Sequence, residues 1–305
     1  MPNPSIPAEV IASHGRHVVA QDQTGKHWQV FGKGKKREMA VGDQVLIEPS
    51  GDNQAWVTRI ENRRNLVYRS DAIRSKLFAS NLDQVVLVLA VSPPYSGELL
   101  GRTLLASIAA EVPLRIVFNK KDLIEQDPEL QEALVQELTE WTDGEVPVHW
   151  LSLTEDREAA LLEMQAILNN QTSLILGQSG MGKSTLINLL IPHAKAPTNE
   201  ISMALNAGKH TTTHTQMHFG QDGLRLIDSP GFQAFGLHHL NRDKLLLAFP
   251  EIQAASRHCR FDDCRHINEP HCAVKMALNE GAISEVRYSF YLQMCDEIAL
   301  AERTW

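Results

Sequence analysis

The sequence has no apolar segment long enough to cross a bilayer. Its longest apolar run, residues 85–91, is far shorter than the roughly 20 residues of a membrane-spanning helix. Residues 1–15 have neither a basic start nor an apolar stretch, so we expect no signal peptide. Four cysteines among 305 residues are too few for a disulfide framework. These absences predict a soluble cytoplasmic protein with no membrane partner.

Basic residues are concentrated at the start of an otherwise acidic chain. The whole sequence carries a formal net charge of −8. Residues 1–80 hold 12 Lys and Arg against 8 Asp and Glu, whereas the remaining residues hold 17 against 29. A basic segment on an acidic chain favours a polyanionic partner, although charge alone fits an ordinary solvated surface equally well.

Short apolar segments punctuated by glycine predict a β-rich first domain. The segments are residues 10–20, 27–31, 44–48 and 55–60. A small closed barrel is the natural arrangement of such strands, because closure removes their unpaired edges. Residues 32–37 form a basic loop, and the polar residues 63–76 are expected to be a linker.

The pattern then changes to alternating strands and helices, which is typical of a mostly parallel sheet covered by helices. Strands are predicted at residues 85–91, 114–118, 148–151, 173–176, 215–219 and 224–227, and helices at 128–141, 158–168 and 183–190. Asp127 is expected to cap the helix that begins at Pro128. The apolar face of that helix would carry Leu130, Ala133, Leu134, Leu138 and Trp141. From about residue 240 the pattern indicates helices around a Cys and His cluster.

Residues 177–184, Gly-Gln-Ser-Gly-Met-Gly-Lys-Ser, match the phosphate-binding pattern GxxxxGK[ST]. The segment follows a predicted strand and opens a predicted helix, which is the context that the motif requires. Its glycines let backbone N–H groups point at phosphate oxygens, and the helix N-terminus adds positive potential. Lys183 would contact the β- and γ-phosphates, and Ser184 would bind Mg²⁺. The flanking elements argue against a glycine-rich turn that matches by chance.

Two further motifs lie at predicted strand ends. In Asp228-Ser-Pro-Gly231, the carboxylate would hold Mg²⁺ through water and the glycine N–H would bind the γ-phosphate. Asn119-Lys-Lys-Asp122 suits guanine, because the Asp122 carboxylate can accept two N–H donors that adenine does not present together. Lys120 would lie along the base, and Asn119 would join its loop to neighbouring ones. Alone, either tetrapeptide would indicate only a polar turn.

The motifs occur in a circularly permuted order. A standard GTPase has the P-loop first, whereas here NKxD precedes the P-loop and DxxG follows it. All these loops lie at the carboxyl edge of the sheet, so relocating the chain termini leaves the site intact. The predicted GTP-binding residues are Asn119, Lys120, Lys121, Asp122, Gly177, Gln178, Ser179, Gly180, Met181, Gly182, Lys183, Ser184, Thr185, Asp228 and Gly231.

This order of motifs resembles the ribosome small-subunit-dependent GTPase A family over nearly the whole chain. The resemblance includes residues 76–91, 208–216 and 228–232. It implies an N-terminal OB-fold β-barrel, a central α/β P-loop GTPase domain and a C-terminal helical zinc domain, at residues 1–75, 76–238 and 239–305. It also implies GTP hydrolysis to GDP during late maturation of the small ribosomal subunit, stimulated by the subunit, with its rRNA as a partner. We further expect a monomer.

The second guanine loop departs from the family pattern. Family members usually carry Ser-Ala there, whereas this chain has Ser152-Leu153-Thr154. A backbone N–H of this loop is still expected to reach guanine O6.

The segment 208–214 lies where a switch I loop belongs, between the P-loop helix and the next strand. We expect Thr212 or Thr213 to complete the Mg²⁺ shell. Phe232 stands where Ras-like enzymes carry the glutamine that orients the attacking water, so intrinsic hydrolysis should be slow. His210 and His214 are candidates to position that water, and exposed histidines without a catalytic role are the alternative.

Cys259, Cys264, His266 and Cys272 provide three thiolates and an imidazole, the ligand set of a tetrahedral structural zinc site. His258 and His271 are alternative ligands. Two neighbouring arginines, Arg260 and Arg265, would face RNA. Cys295 is expected to be a buried apolar residue outside the cluster.

Two other functions compete with GTP hydrolysis on the ribosome. One is an RNA-binding assembly factor that uses GTP only as a conformational clamp. The other is a small-molecule kinase or ATPase, against which Asn119 to Asp122 argue. Because the chain runs from Gly231 into the zinc domain, we also expect γ-phosphate contact to bias the position of that domain on the ribosome.

Overall fold

The computed structural model describes residues 5–14, 17–32, 38–70, 75–196, 215–229, 237 and 240–303. Within these residues the chain forms a β-barrel, a helix-covered sheet and a group of C-terminal helices. This is the multidomain fold class predicted from the sequence. No helix in these ranges is both long enough and apolar enough to traverse a lipid bilayer.

The N-terminal barrel is built from five strands. They are β1 (Ile6–His14), β2 (His17–Asp22), β3 (His27–Gly32), β4 (Gln44–Pro49) and β5 (Gln54–Ile60). Their order is β1-β2-β3-β5-β4, and β4 pairs back with β1, so the barrel closes. The β3–β5 pair is parallel and the others are antiparallel. This arrangement confirms the predicted small β-barrel.

Alternating side chains fill the barrel, because successive residues of a strand point to opposite faces. In β3, Trp28 and Val30 are buried, and in β5, Ala55 and Val57 are buried. The single segment predicted at residues 10–20 is wrong in one respect. It belongs to two strands, β1 and β2, which pair with each other in antiparallel register.

Residues 63–76 are not the simple linker that their polar composition predicted. They contain most of a hairpin of β6 (Leu66–Ser70) and β7 (Ser75–Ser80). Arg63 binds the fully buried Asp43 through Nε at 2.7 Å and Nη2 at 2.8 Å, and Ser80 Oγ donates to the same carboxylate at 2.7 Å. A buried carboxylate needs such partners, and they fix this segment to the barrel.

The central sheet has the permuted order of a P-loop GTPase. Its strands are β8 (Gln84–Ala90), β9 (Leu114–Asn119), β10 (Val148–Trp150), β11 (Thr172–Leu176), β12 (Thr215–Phe219) and β13 (Arg225–Asp228). They follow the order β10-β9-β8-β11-β13-β12, in which all pairs are parallel except β12–β13. The three motif loops therefore leave the same edge of the sheet.

Four helices cover this sheet. They are α1 (Gly97–Ala110), α2 (Pro128–Thr142), α3 (Arg157–Leu168) and α4 (Lys183–Leu190). Asp127 caps α2 as predicted, by accepting from the Leu130 N–H at 3.0 Å. On the predicted apolar face of α2, Leu134, Leu138 and Trp141 are buried, whereas Ala133 is exposed. The sequence prediction missed α1, which begins after an N-cap at Ser96.

The barrel and the central sheet are joined by backbone pairing. Strand β1 pairs with β12 at Ala12–Gln216 and Ser13–Thr215. Nearby, Arg225 Nη1 lies 3.0 Å from a carboxylate oxygen of Glu9. Burial raises the pKa of the Glu9 carboxyl, and the Arg225 guanidinium opposes that rise.

The C-terminal helices pack against α1 and α2. They are α5 (Arg242–Leu246), α6 (Pro250–Ser256), α7 (Ala273–Asn279) and α8 (Glu285–Arg303). Arg102 of α1 forms a two-bond contact with Glu297 of α8, at 2.6 and 3.1 Å. The rings of Trp141 and Phe290 meet edge to face, with their centroids 5.3 Å apart.

Arg287 of α8 is the central polar group of this interface, and it is only 5% exposed. Its guanidinium donates to the carbonyls of Trp141 at 2.6 Å and Ala248 at 2.9 Å, and it pairs with Glu251 at 2.7 Å. One side chain therefore joins α2, α6 and α8.

We predict that Gly101→Ala destabilises the protein by about 1–3 kcal/mol, the usual cost of overpacking a core. An added Cβ would lie 2.5 Å from the Trp141 ring and 2.8 Å from the Phe290 ring. On helix propensity alone the same change would stabilise the protein by about 1 kcal/mol, so the sign of the change in the free energy of unfolding shows which effect dominates. Chemical denaturation measures this free energy. The control is Gly51→Ala, where the nearest atom to an added Cβ is 3.9 Å away. A more stable Gly101→Ala variant would contradict the packing.

Candidate nucleotide site and metal centre

The P-loop links the end of β11 to the start of α4. Its first and last glycines have positive φ angles, 142° at Gly177 and 108° at Gly182, which side chains rarely adopt. A Cβ at Gly177 would lie 2.3 Å from the Val88 carbonyl oxygen of the neighbouring strand. The residues between these glycines, 178–181, form the turn, and Lys183, Ser184 and Thr185 begin the helix. The amides at this helix N-terminus are suited to bind phosphate.

Asn119 connects three loops of the site. Its Nδ2 donates to the Met181 carbonyl of the P-loop at 2.9 Å, and its Oδ1 accepts from the Leu153 N–H at 3.1 Å. The side chain is buried, and a Cβ at Gly182 would lie 2.2 Å from its Nδ2. The P-loop, the NKxD loop and the second guanine loop are therefore held in one fixed arrangement.

The two lysines of the NKxD segment point to different partners. Lys120 has a left-handed backbone, with a φ of 63°, and its Nζ donates to the Ser92 carbonyl. Lys121 pairs with Glu125 at 2.9 Å, and this contact raises its pKa. The Lys121 side chain thus has a protein partner on the helical turn that follows the motif.

Asp122 is held by the second guanine loop. The Ser152 hydroxyl accepts from the Asp122 N–H at 3.0 Å and donates to Asp122 Oδ1. This bond fixes one carboxylate oxygen, Oδ1. The sequence pattern placed Ser152 in the loop without assigning its partner, and the Leu153 N–H that could have reached guanine O6 is bonded to Asn119.

Lys183 and Asp228 are two partly buried groups of opposite charge at the end of the sheet. Burial lowers the pKa of Lys183, and the Asp228 carboxylate opposes that change. Burial likewise raises the pKa of Asp228, against Lys183 and the Ser229 backbone N–H. Lys183 Nζ also donates to the Gln178 carbonyl at 3.0 Å. For each of these two groups, the effect of burial is larger than the opposing effect of its protein partners. Lys183 is therefore suited to bind phosphate oxygens, and Asp228 is suited to bind a cation.

The residues discussed for the Mg²⁺ shell, the γ-phosphate contact and the attacking water lie in part outside the described part of the chain. Those outside it are His210, Thr212, Thr213, His214, Gly231 and Phe232. The basic loop at residues 33–37 also lies outside it.

Cys259, Cys264, His266 and Cys272 come together in the loop between α6 and α7. Their ligand atoms all lie within 4.8 Å of one another. His266 Nδ1 is 3.6 Å from the Cys259 sulfur and 3.5 Å from the Cys272 sulfur, and those two sulfurs are 3.9 Å apart. A tetrahedral zinc ion with ordinary bond lengths requires ligand separations of about 3.6–3.8 Å. The residues present therefore fit zinc.

The surroundings of the cluster suit metal ligands. Burial raises the pKa of the Cys264 thiol to about 12, so this sulfur stays protonated unless a cation replaces its proton. Burial, together with Arg242, lowers the pKa of His266 and favours the neutral ring that binds metals. The alternative ligands His258 and His271 are exposed and are not members of the cluster. Cys295 lies apart from it and is half-buried.

A family model described as RsgA GTPase matches residues 60–238 of the chain. A protein of Burkholderia pseudomallei (strain K96243), called small ribosomal subunit biogenesis GTPase RsgA, is 47% identical over 289 residues, covering 94% of this chain and 91% of its own. The chain belongs to the RsgA GTPase family. A relative of the same name from Paraburkholderia phymatum is 48% identical over 292 residues, covering 94% and 90% of the two chains.

Two solved structures extend this relation to the fold. The YjeQ protein of Thermotoga maritima matches with a TM-score of 0.67 and 28% identity, covering 97% of this chain and 99% of that one. YloQ, described as a circularly permuted GTPase, matches with a TM-score of 0.65, covering 97% and 96%; at 24% identity it supports the fold alone. Together with family membership, these matches confirm the predicted permuted GTPase fold. As an RsgA GTPase the chain is a GTP hydrolase.

We predict that Ser152→Ala weakens binding of GTP and GDP equally, by about five- to tenfold, the cost of roughly one hydrogen bond. The change removes the hydroxyl that orients Asp122, a contact on the base side of the site. Titration with fluorescent GDP and a non-hydrolysable GTP analogue measures both affinities. Ser50→Ala, at an exposed turn, is the control. A loss confined to the GTP analogue would contradict the assignment to the base.

For the metal centre we predict that the parent protein purifies with one equivalent of zinc and Cys272→Ser with less. Cys272→Ser should also unfold at a lower temperature, because the loop would lose one of the four predicted zinc ligands. Elemental analysis and thermal denaturation give the two readouts. Cys295→Ser is the matched control and should retain its zinc, since Cys295 lies outside the cluster. Full zinc content in Cys272→Ser would refute this ligand set.

Proposed function

We propose that this RsgA-family GTPase acts in late maturation of the small ribosomal subunit, where the subunit stimulates its hydrolysis of GTP to GDP. The relatives that match nearly the whole chain carry the name small ribosomal subunit biogenesis GTPase. The observation that carries the proposal is the Asn119 bridge, which joins a phosphate loop to a guanine loop in one preformed site.

Guanine selectivity would come from Asp122. Its Oδ1 is held by Ser152, so its Oδ2 would accept from the edge of the base without reorienting. Lys120, fixed at the Ser92 carbonyl, would lie along the base plane. Preorganised groups of this kind discriminate strongly, because a wrong base leaves them unpaired.

The phosphate end of the site would use the P-loop amides, Lys183 and Asp228. Mg²⁺ would be held by Ser184, by Asp228 through water and by one of Thr212 or Thr213, and it would neutralise charge on the phosphates. The Gly231 N–H would bind the γ-phosphate. His210 or His214, or a group of the ribosome, would orient the attacking water in place of the glutamine that Phe232 replaces.

RNA contact would come from the flanking modules. Residues 1–80 carry the excess of positive charge, and the metal loop exposes Arg260 and Arg265 beside Phe261. The GTPase domain would lie between a barrel at 1–75 and a zinc module at 239–305. We place this activity in the cytoplasm, in a monomer.

The experiment compares GTP hydrolysis with and without purified small ribosomal subunits. We predict marked stimulation of the parent protein, and that Asp122→Asn lowers the stimulated rate at limiting GTP by about tenfold to a hundredfold, the value of charged hydrogen bonds. Xanthosine triphosphate should restore part of that rate, because its carbonyl at C2 accepts an N–H of the carboxamide that the substitution introduces.

Asp127→Asn is the control. Aspartate and asparagine cap helices equally well, and Asp127, the N-cap of α2, is not one of the predicted nucleotide-binding residues. GTP binding without stimulated hydrolysis would identify the chain as an assembly factor that uses GTP only as a clamp. Equal hydrolysis of ATP would exclude the guanine assignment.

A further inference from the structure

Two aromatic side chains lie next to each other on the outside of the barrel. Phe31 of β3 is directly opposite Trp56 of β5 in the parallel pair, and their ring centroids are 5.7 Å apart. Trp56 is 42% exposed, because successive residues of a strand alternate between the two faces and its neighbours Ala55 and Val57 are buried. The barrel core consists of other side chains, and neither ring belongs to it. Packing of the barrel therefore does not account for this pair.

The same face continues into an open cleft of about 770 Å³. Its polar lining consists of Lys26, His27, Gln29, Asp52, Asn53 and Gln54. Gln29 and Gln54 precede the two aromatic residues by two positions, so they project from the same side of the strands. We call this continuous surface of aromatic pair and cleft the β3–β5 face. It offers flat apolar rings at one end, and amides, one lysine and the Asp52 carboxylate at the other.

The chemistry of the β3–β5 face suits one class of partner. The segment that contains it is basic on an acidic chain, and Lys33, Lys35, Lys36 and Arg37 follow Phe31 in the sequence. A polyanion with exposed flat rings satisfies both features, and single-stranded RNA has them, whereas a duplex hides its bases. A cationic protein partner would be repelled by the same charges.

We propose that the β3–β5 face binds unpaired nucleotides of RNA, with a base stacked on Trp56 beside Phe31. This rests on the proposed function, and it names the surface through which the barrel contacts RNA. The cleft side chains would then hydrogen-bond to the neighbouring nucleotide. Stacking on an aromatic ring tolerates any base, so the face selects unpaired structure and not a particular sequence.

The test measures binding of the full-length protein to a fluorescent twelve-nucleotide oligoadenylate and to an abasic strand of the same length and charge. Trp56→Ala should weaken oligoadenylate binding by about fivefold or more, the lower range for one lost stack. It should leave binding of the abasic strand unchanged. Trp56→Phe should restore most of the affinity, and Leu162→Ala, which removes an exposed apolar side chain of α3, should have no effect.

The outcomes separate this inference from the proposed function. Unchanged oligoadenylate binding by Trp56→Ala, or none by the parent protein, would overturn the stacking surface while subunit-stimulated hydrolysis stands. If Trp56→Ala weakens binding to purified small subunits but not to oligoadenylate, the face docks on protein and the RNA assignment fails. Equal losses of affinity for the oligoadenylate and for the abasic strand would mean that Trp56→Ala disturbs the contacts of charged groups with the backbone or the folding of the barrel. That result would also overturn the stacking surface.

Discussion

Asn119 uses both ends of one buried carboxamide to hold the nucleotide site together. Its N–H group bonds the P-loop and its oxygen bonds the second guanine loop, so neither loop can shift without breaking a buried hydrogen bond. Gly182 passes so close that no side chain could occupy its position. The P-loop and the NKxD loop are thereby held at a fixed separation by contacts within the protein. This preorganisation does not depend on chain order, which is why a circular permutation leaves the site intact.

Structural features that depend on residues close together in the chain were predicted correctly from the sequence. The P-loop between β11 and α4, the Asp127 cap of α2 and the cluster of Cys259, Cys264, His266 and Cys272 each depend on residues close together in the chain. The spacing of these residues in the sequence is therefore enough to predict how they are arranged in the structure. Whether the predicted residues bind GTP and Mg²⁺ stays a prediction, because the contacts described are those within the protein.

Features set by distant contacts were missed. The polar hairpin of β6 and β7 is anchored through Arg63 to Asp43, twenty positions earlier in the chain, and no local pattern indicates that pairing. The partner of Ser152 is likewise thirty positions away. Helix α8 reaches the GTPase domain through Arg287, a residue that composition assigns to the surface. In each case a buried polar group found its partner through the tertiary fold, which single-sequence periodicity does not encode.

Contacts of the same kind join the two flanking modules to the GTPase domain. Moving the C-terminal helices relative to the GTPase domain would break the buried hydrogen bond from Arg287 to the Trp141 carbonyl, and hydrogen bonds of charged groups contribute about 1.5–3 kcal/mol. The barrel is attached by the bonds of Arg63 and Ser80 to the buried Asp43, by the partly exposed Arg225–Glu9 contact and by β1–β12 pairing at Ala12–Gln216 and Ser13–Thr215. Backbone hydrogen bonds of this kind contribute only about 0.5–1.5 kcal/mol each.

Strand β12 begins at Thr215, directly after the predicted switch threonines Thr212 and Thr213. It also pairs with β13, which ends at Asp228. A γ-phosphate that orders the switch would therefore act first on the strand that carries the barrel. The expectation that Gly231 biases the zinc domain stays a prediction. Strand β12 therefore links the predicted switch segment to the barrel, which carries the basic charge and the exposed aromatic pair.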